Sequence, residues 1–165
     1  MTDTLLPPDI ADLARRVVDA NRAAGRMVAL AESCTGGLVA SAITEIAGSS
    51  AVLDRSYVTY SNAAKQDLLG VEPDILEAFG AVSVACVYAM AKGALERSGA
   101  DVAVAISGIA GPGGGSAAKP VGTVVFARAL RGVEELEAEE KLFADDTRAG
   151  VRRQATLCAL ELLLP

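Results

Sequence analysis

Two short apolar runs constrain the fold of this chain more than any other feature of its sequence. Met27–Ala31 and Val102–Ile106 are continuous apolar stretches in which no polar position alternates. Such runs are typical of strands that are covered on both faces, whereas a half-exposed strand alternates apolar and polar residues. The sequence therefore predicts a sheet whose central strands are buried between layers of helices.

The segments around these runs alternate between helical and extended patterns. Apolar residues at helical spacing predict a helix that opens at Pro7-Pro8-Asp9 and ends near Gly25. Further helices are predicted over 37–47, from 61 or 62 to 69, and over 73–79, 84–98 and 148–164, and further strands over 56–60, 122–130 and 134–143. Strands that alternate with helices and end in a hairpin predict one α/β layered domain with a mixed sheet, over residues 1–165.

Composition excludes several classes of function. The chain has 15 Lys and Arg against 21 Asp and Glu, a net charge of −6, and such a charge disfavours binding to nucleic-acid phosphates. No apolar run reaches the roughly 18–20 residues of a membrane span, and Met1–Pro8 lacks the pattern of a secretory signal. Three isolated cysteines and no histidine fit neither a disulfide framework nor a metal site, so we expect a cytoplasmic protein without a metal.

The segment Ala31-Glu32-Ser33-Cys34-Thr35-Gly36-Gly37 lies between a predicted strand and a predicted helix. Backbone N–H groups at such a turn can stabilise an oxyanion, and Ser33 could be the nucleophile. The chain has no histidine to act as its base, and Ser33 could instead simply cap the helix. Cys34 is the rival nucleophile, since a thiol at a helix N-terminus gains acidity, or else it is inert packing.

Lys65 is the candidate base for Ser33. The segment Tyr60-Ser61-Asn62-Ala63-Ala64-Lys65 crosses a predicted strand-to-helix junction, which could direct the phenol and the amine into one cleft. Making the neutral amine half-populated at pH 7 costs about 4.6 kcal/mol, to which burial and nearby positive charge can contribute. Tyr60 could relay the proton or orient Ser33. The alternative is a solvated surface lysine.

A glycine-dense loop, Gly108–Gly115, follows the second buried run. Its backbone N–H groups could converge on a phosphate or carboxylate, although an exposed loop without a ligand fits the same residues. Asp145-Asp146 precedes the last helix, where acidic residues favour the positive end of the helix dipole. Arg148 and Arg152 are four residues apart and could share one face, either against an anion or against water.

Three segments strongly resemble the C-terminal domain of the competence/damage-inducible protein CinA. They are AESCTGG at 31–37, VTYSNAAK at 58–65 and SGIAGPGGGSAAKPVGTV at 107–124. The intervening GSS at 48–50, LLGV at 68–71 and FGAVS at 79–83 also fit, so the resemblance covers nearly the whole chain. One departure is the segment Asp145-Asp146-Thr147-Arg148, where the family often has Gly-Asp-Arg.

This resemblance implies a three-layer α/β/α sandwich that converts nicotinamide mononucleotide to nicotinic acid mononucleotide and ammonia. It also implies no cofactor and self-association into homodimers or larger assemblies. The matching catalytic set is Ser33, Tyr60 and Lys65. The residues that we expect to bind substrate are Thr35, Gly36, Gly37, Asn62, Gly108, Gly111 and Arg148. A nucleotide-binding or regulatory module without turnover is the alternative.

Overall fold

The structure, a computed structural model, describes residues 3–145 and 147–165. Within these residues the chain forms six helices and five strands. Helices and strands alternate as far as the second strand, after which three helices and then three strands follow one another before the last helix. The helices are α1 Pro8–Ala23, α2 Leu38–Thr44, α3 Asn62–Leu69, α4 Pro73–Phe79, α5 Val84–Glu96 and α6 Arg148–Leu162. The strands are β1 Val28–Glu32, β2 Leu53–Val58, β3 Val102–Gly108, β4 Thr123–Leu130 and β5 Glu137–Leu142. A single 3-10 turn at Ser49–Ala51 precedes β2.

The strands form one mixed sheet in the order β2-β1-β3-β4-β5. Strand β1 runs parallel to both β2 and β3, whereas β4 is antiparallel to β3 and β5 is antiparallel to β4. The predicted mixed sheet with a terminal hairpin is therefore confirmed. No helix in the described ranges has the length and apolar character to cross a membrane.

Helices cover both faces of the sheet. Helices α1, α2 and α6 pack on one face, where the central strands present larger side chains such as Leu30, Val104 and Phe126. Helices α3, α4 and α5 pack on the other face, where β1 and β3 present Ala29, Ala31, Ala103 and Ala105. The short alanine side chains let α5 lie close to the sheet, which confirms the three-layer α/β/α sandwich.

Strand β2 is displaced from its predicted range of 56–60. It begins at Leu53, which pairs with Val28, and it ends at Val58. Propensity favoured the run of β-branched and aromatic residues at 57–60, but pairing with β1 defines the strand. Thr59 and Tyr60 consequently lie beyond the strand end, where their carbonyls are available to a side chain.

Candidate active site

Three hydroxyl residues lie side by side where the parallel strands end. The register aligns Glu32 with Val58 and with Ile106. The residues that follow them, Ser33, Thr59 and Ser107, therefore form a row across the carboxyl ends of the three parallel strands. Side chains alternate between faces along a strand, and this row faces the layer of α3 to α5. Ser107 was missed by sequence reasoning. Its signal was a hydroxyl directly after a buried run, but only strand register brings it beside Ser33.

Lys65 reaches this row from α3. Its amine lies 3.1 Å from the Ser33 hydroxyl oxygen and donates to the backbone carbonyls of Thr59 at 2.8 Å and Tyr60 at 3.5 Å. The residue is only 1% exposed, although Lys is normally a surface residue. The structure thus brings together Ser33 and Lys65, two of the residues that were expected to react.

Burial lowers the pKa of the Lys65 amine from its ordinary value of 10.5. Among the described residues no carboxylate forms a salt bridge with this amine, so no ion pair with a carboxylate offsets the loss of hydration. A neutral amine has two N–H donors and one lone pair. In the neutral form of Lys65, with the two carbonyls accepting the N–H groups, the lone pair would be left for the hydroxyl proton of Ser33.

The loop from Ser33 to Gly37 is built on the buried carboxylate of Glu32. This carboxylate accepts hydrogen bonds from the Thr35 hydroxyl at 2.7 Å and from the backbone N–H groups of Val39 and Ala40 at 3.0 and 3.2 Å. It therefore satisfies two of the N–H groups that the start of α2 leaves open, and its charge favours that helix end. Glu32 had no predicted role, because its partners are set by the loop conformation.

The predicted binding residues of this loop do not all face the cleft. The Thr35 side chain is fully buried on Glu32, and the Gly36 N–H donates to the Ser33 carbonyl at 3.0 Å. Gly37 has a φ of 99°, in the left-handed region that favours glycine. Within the described chain, no group accepts from the N–H of Thr35 or Gly37.

Tyr60 and Arg148 form the mouth of the cleft. The Arg148 guanidinium donates to the Tyr60 hydroxyl at 3.0 Å and to the Gly111 carbonyl at 2.7 Å. Tyr60 is 62% exposed, and its hydroxyl bonds to Arg148 rather than to Ser33 or Lys65. The Asp145 carboxylate of the preceding segment accepts from Thr147, and Asp146 lies outside the described residues.

A cavity of about 190 Å³ connects these groups. The predicted residues in its lining are Ser33, Cys34, Tyr60, Asn62, Lys65, Gly108 and Arg148, and Ser107 lines it as well. Thr35, Gly36, Gly37 and Gly111 lie outside the lining, although Gly111 holds Arg148 through its carbonyl. A larger groove of about 550 Å³ lies between α5 and the β4–β5 turn, away from the Ser33 row.

Cys34 is poorly suited to act as the nucleophile. Burial raises the pKa of its thiol to about 11, so the reactive thiolate is scarce at neutral pH. The side chain belongs to the core on the α1 side of the sheet. The Cys34 side chain also helps to explain why residue 108 is a glycine. A Cβ added at Gly108 would lie 3.1 Å from the Cys34 sulfur and 2.7 Å from the Val124 side chain. Gly108 is therefore needed for packing, whatever it does toward a ligand.

Comparison with known proteins places the chain in a family. The model of the CinA C-terminal domain matches residues 10–165. This chain belongs to the CinA C-terminal domain family. Nicotinamide-nucleotide amidohydrolase PncC of Enterobacter agglomerans is 54% identical over 153 residues, which cover 93% of this chain and 92% of that protein. PncC of Escherichia coli K12 is 51% identical over 163 residues, which cover 99% of this chain and 95% of that protein.

Other members of the CinA C-terminal domain family differ in length. A CinA-like protein of Mycolicibacterium vanbaalenii is 52% identical over 140 residues, but the match covers only 33% of that protein. Among solved structures, the competence/damage inducible protein CihA from Agrobacterium tumefaciens has a TM-score of 0.94 and 52% identity, covering 98% of this chain and 97% of that one. The family fold is thus present over nearly the whole chain.

Proposed function

We propose that this protein hydrolyses the carboxamide of nicotinamide mononucleotide and releases nicotinic acid mononucleotide and ammonia. The observation that carries this proposal is the buried Lys65 amine, which lies 3.1 Å from the Ser33 hydroxyl and forms no salt bridge with any carboxylate of the described residues. A serine with a neutral amine as base is equipped for acyl transfer. The names of the relatives that match over almost their full length supply the substrate.

The reaction begins when Lys65 takes the proton of the Ser33 hydroxyl and the Ser33 oxygen attacks the carboxamide carbon. The carbonyl π electrons move to oxygen, and the N–H groups of the 34–37 loop that have no acceptor among the described residues stabilise the resulting oxyanion. The tetrahedral intermediate collapses as Lys65 returns its proton to the departing nitrogen, so ammonia leaves and an acyl-serine remains. Lys65 then takes a proton from water, the hydroxide attacks, and the acid product leaves as Ser33 regains its proton.

Arg148 is the group that we assign to the substrate phosphate. It lies at the cleft mouth on an exposed helix start, and guanidinium binds phosphate in a bidentate manner. A cavity of about 190 Å³ accommodates the nicotinamide ring, while the ribose phosphate extends toward this mouth. Tyr60, bonded to Arg148, then orients the phosphate-binding group, and Lys65 contacts Ser33 directly without a relay.

Ammonia release from nicotinamide mononucleotide by the purified protein tests the proposal. We expect Ser33→Ala to abolish turnover and Cys34→Ala to retain it within about tenfold, because the thiol is protonated and packed in the core. The reverse pattern would transfer the nucleophile to Cys34. Binding of the nucleotide without any ammonia would instead support a regulatory module.

We also propose that the protein acts in the cytoplasm and self-associates. Cys34, Cys86 and Cys158 are all free thiols, as expected in a reducing compartment. Exposed apolar side chains on α3 to α5, including Leu68, Val84 and Tyr88, offer area for a contact between copies. Light scattering after gel filtration measures the mass in solution, and a monomer at micromolar concentration would refute the association.

A further inference from the structure

Arg152 on α6 holds the nucleophile loop from the side of the sheet opposite to Lys65. Its Nε donates to the carbonyl of Cys34 at 3.0 Å, and its Nη2 donates to the carbonyl of Thr35 at 3.3 Å. A guanidinium is planar and presents its donors in a fixed fork. Two consecutive carbonyls held by one such fork leave the loop little freedom to rotate.

This contact also sets the direction of an N–H group. The peptide bond between Cys34 and Thr35 is trans, so the N–H of Thr35 points opposite to the carbonyl of Cys34. Because that carbonyl is directed at α6, the N–H is directed away from α6. Ser33 and Lys65 meet on that other side of the sheet, and in the described chain no acceptor takes this N–H.

We propose that Arg152 is a positioning residue, which holds the Cys34–Thr35 peptide so that its N–H receives the oxyanion formed when Ser33 attacks. This role rests on the proposed amidase function. The cation on the carbonyl also polarises the same peptide, which makes its N–H a stronger donor. Glu32 fixes the loop through the Thr35 side chain, whereas Arg152 fixes the backbone of the peptide that meets the charge.

The neighbouring Arg153 provides a matched control. It lies on the same helix and binds the exposed carboxylate of Asp9 on α1, remote from the loop. Arg153→Ala therefore removes an arginine from α6 and a contact between elements without touching the Cys34–Thr35 peptide. A role for Arg152 in packing α6 alone would make the two alanine variants behave alike.

The experiment compares Arg152→Ala, Arg152→Lys and Arg153→Ala by two readouts. One is steady-state ammonia release from nicotinamide mononucleotide, and the other is the rate at which a fluorophosphonate labels Ser33, followed by intact mass. We expect Arg152→Ala to lower kcat about 100-fold with KM changed by less than about threefold, because a misplaced catalytic group costs rate rather than binding. Labelling should slow in parallel, and added guanidinium ion should restore part of both rates.

Arg152→Lys keeps the positive charge but loses the planar pair of guanidinium donors, so we expect a kcat between those of the wild type and Arg152→Ala. If Arg152→Ala does not fold, Arg152→Lys is compared with Arg153→Ala in its place. The inference is overturned if Arg152→Ala keeps kcat and labelling within about threefold of the wild type, or loses them only as far as Arg153→Ala does. A wild type that is labelled at Ser33 but releases no ammonia refutes the substrate, while the labelling comparison still decides the role of Arg152.

Discussion

Replacing Glu32 with glutamine perturbs the nucleophile loop without changing the shape of the side chain. One carboxylate oxygen accepts from the Thr35 hydroxyl at 2.7 Å and from the Val39 N–H at 3.0 Å. The other accepts from the Ala40 N–H at 3.2 Å and from the Ser56 hydroxyl at 3.3 Å. Glutamine retains one acceptor oxygen and places an NH2 group where the second oxygen was.

The cost follows from these contacts. The two hydrogen bonds to the retained oxygen lose the assistance of charge, about 1 kcal/mol each, and one partly buried donor is left facing another donor, about 1–3 kcal/mol. We therefore expect the free energy of unfolding to fall by about 3–5 kcal/mol. In a chain of this length each kcal/mol lowers the melting temperature by about 2–4 °C, which gives a drop of about 6–20 °C.

Thermal unfolding followed by circular dichroism at pH 7 measures this drop. The matched control is Glu77→Gln, since Glu77 is exposed on α4 and its replacement should leave the melting temperature unchanged. A Glu32→Gln protein that melts within about 2 °C of the wild type would show that the carboxylate does not anchor the loop. In a folded variant kcat should also fall, because the anchor of the 33–37 loop is weakened.

The remaining predictions concern the base, the cleft mouth and the packing of α5. Burial lowers the pKa of Lys65, so the unfolded chain holds this proton more tightly, and both kcat/KM and folding stability should rise as the pH rises through the folded-state value toward 10.5. A flat pH–rate profile below 10.5, or activity in Lys65→Arg, would contradict an amine base. Tyr60→Phe should raise KM several-fold and change kcat by less than about threefold. A loss confined to kcat would instead support a proton relay through Tyr60. Gly93→Ala should cost about 3 kcal/mol of stability, because its Cβ would lie 2.0 Å from the Leu69 carbonyl oxygen. The control Gly99→Ala adds a Cβ with no atom of the described residues within 4 Å, and equal melting temperatures of the two variants would refute this packing.

Much of the fold was predictable because its signals are local. The continuous apolar runs at 27–31 and 102–106 became the buried strands β1 and β3, and helical spacing with terminal glycines located α3, α4 and α5 within a few residues. Strand β2 was less predictable, since its first residues, Leu53 to Arg55, are defined by pairing with β1 rather than by their own propensity.

The site was predictable in its residue types but not in its contacts. The motifs in the sequence indicated Ser33 and Lys65, and the lack of histidine left an amine as the candidate base. Only the structure decided that this amine is buried against Ser33, that Tyr60 turns to Arg148, and that Ser107 joins the row. Sequence patterns report periodicity and burial along one element. Which side chains meet depends on strand register and on how the layers pack, and those are properties of the whole sheet with its two layers of helices.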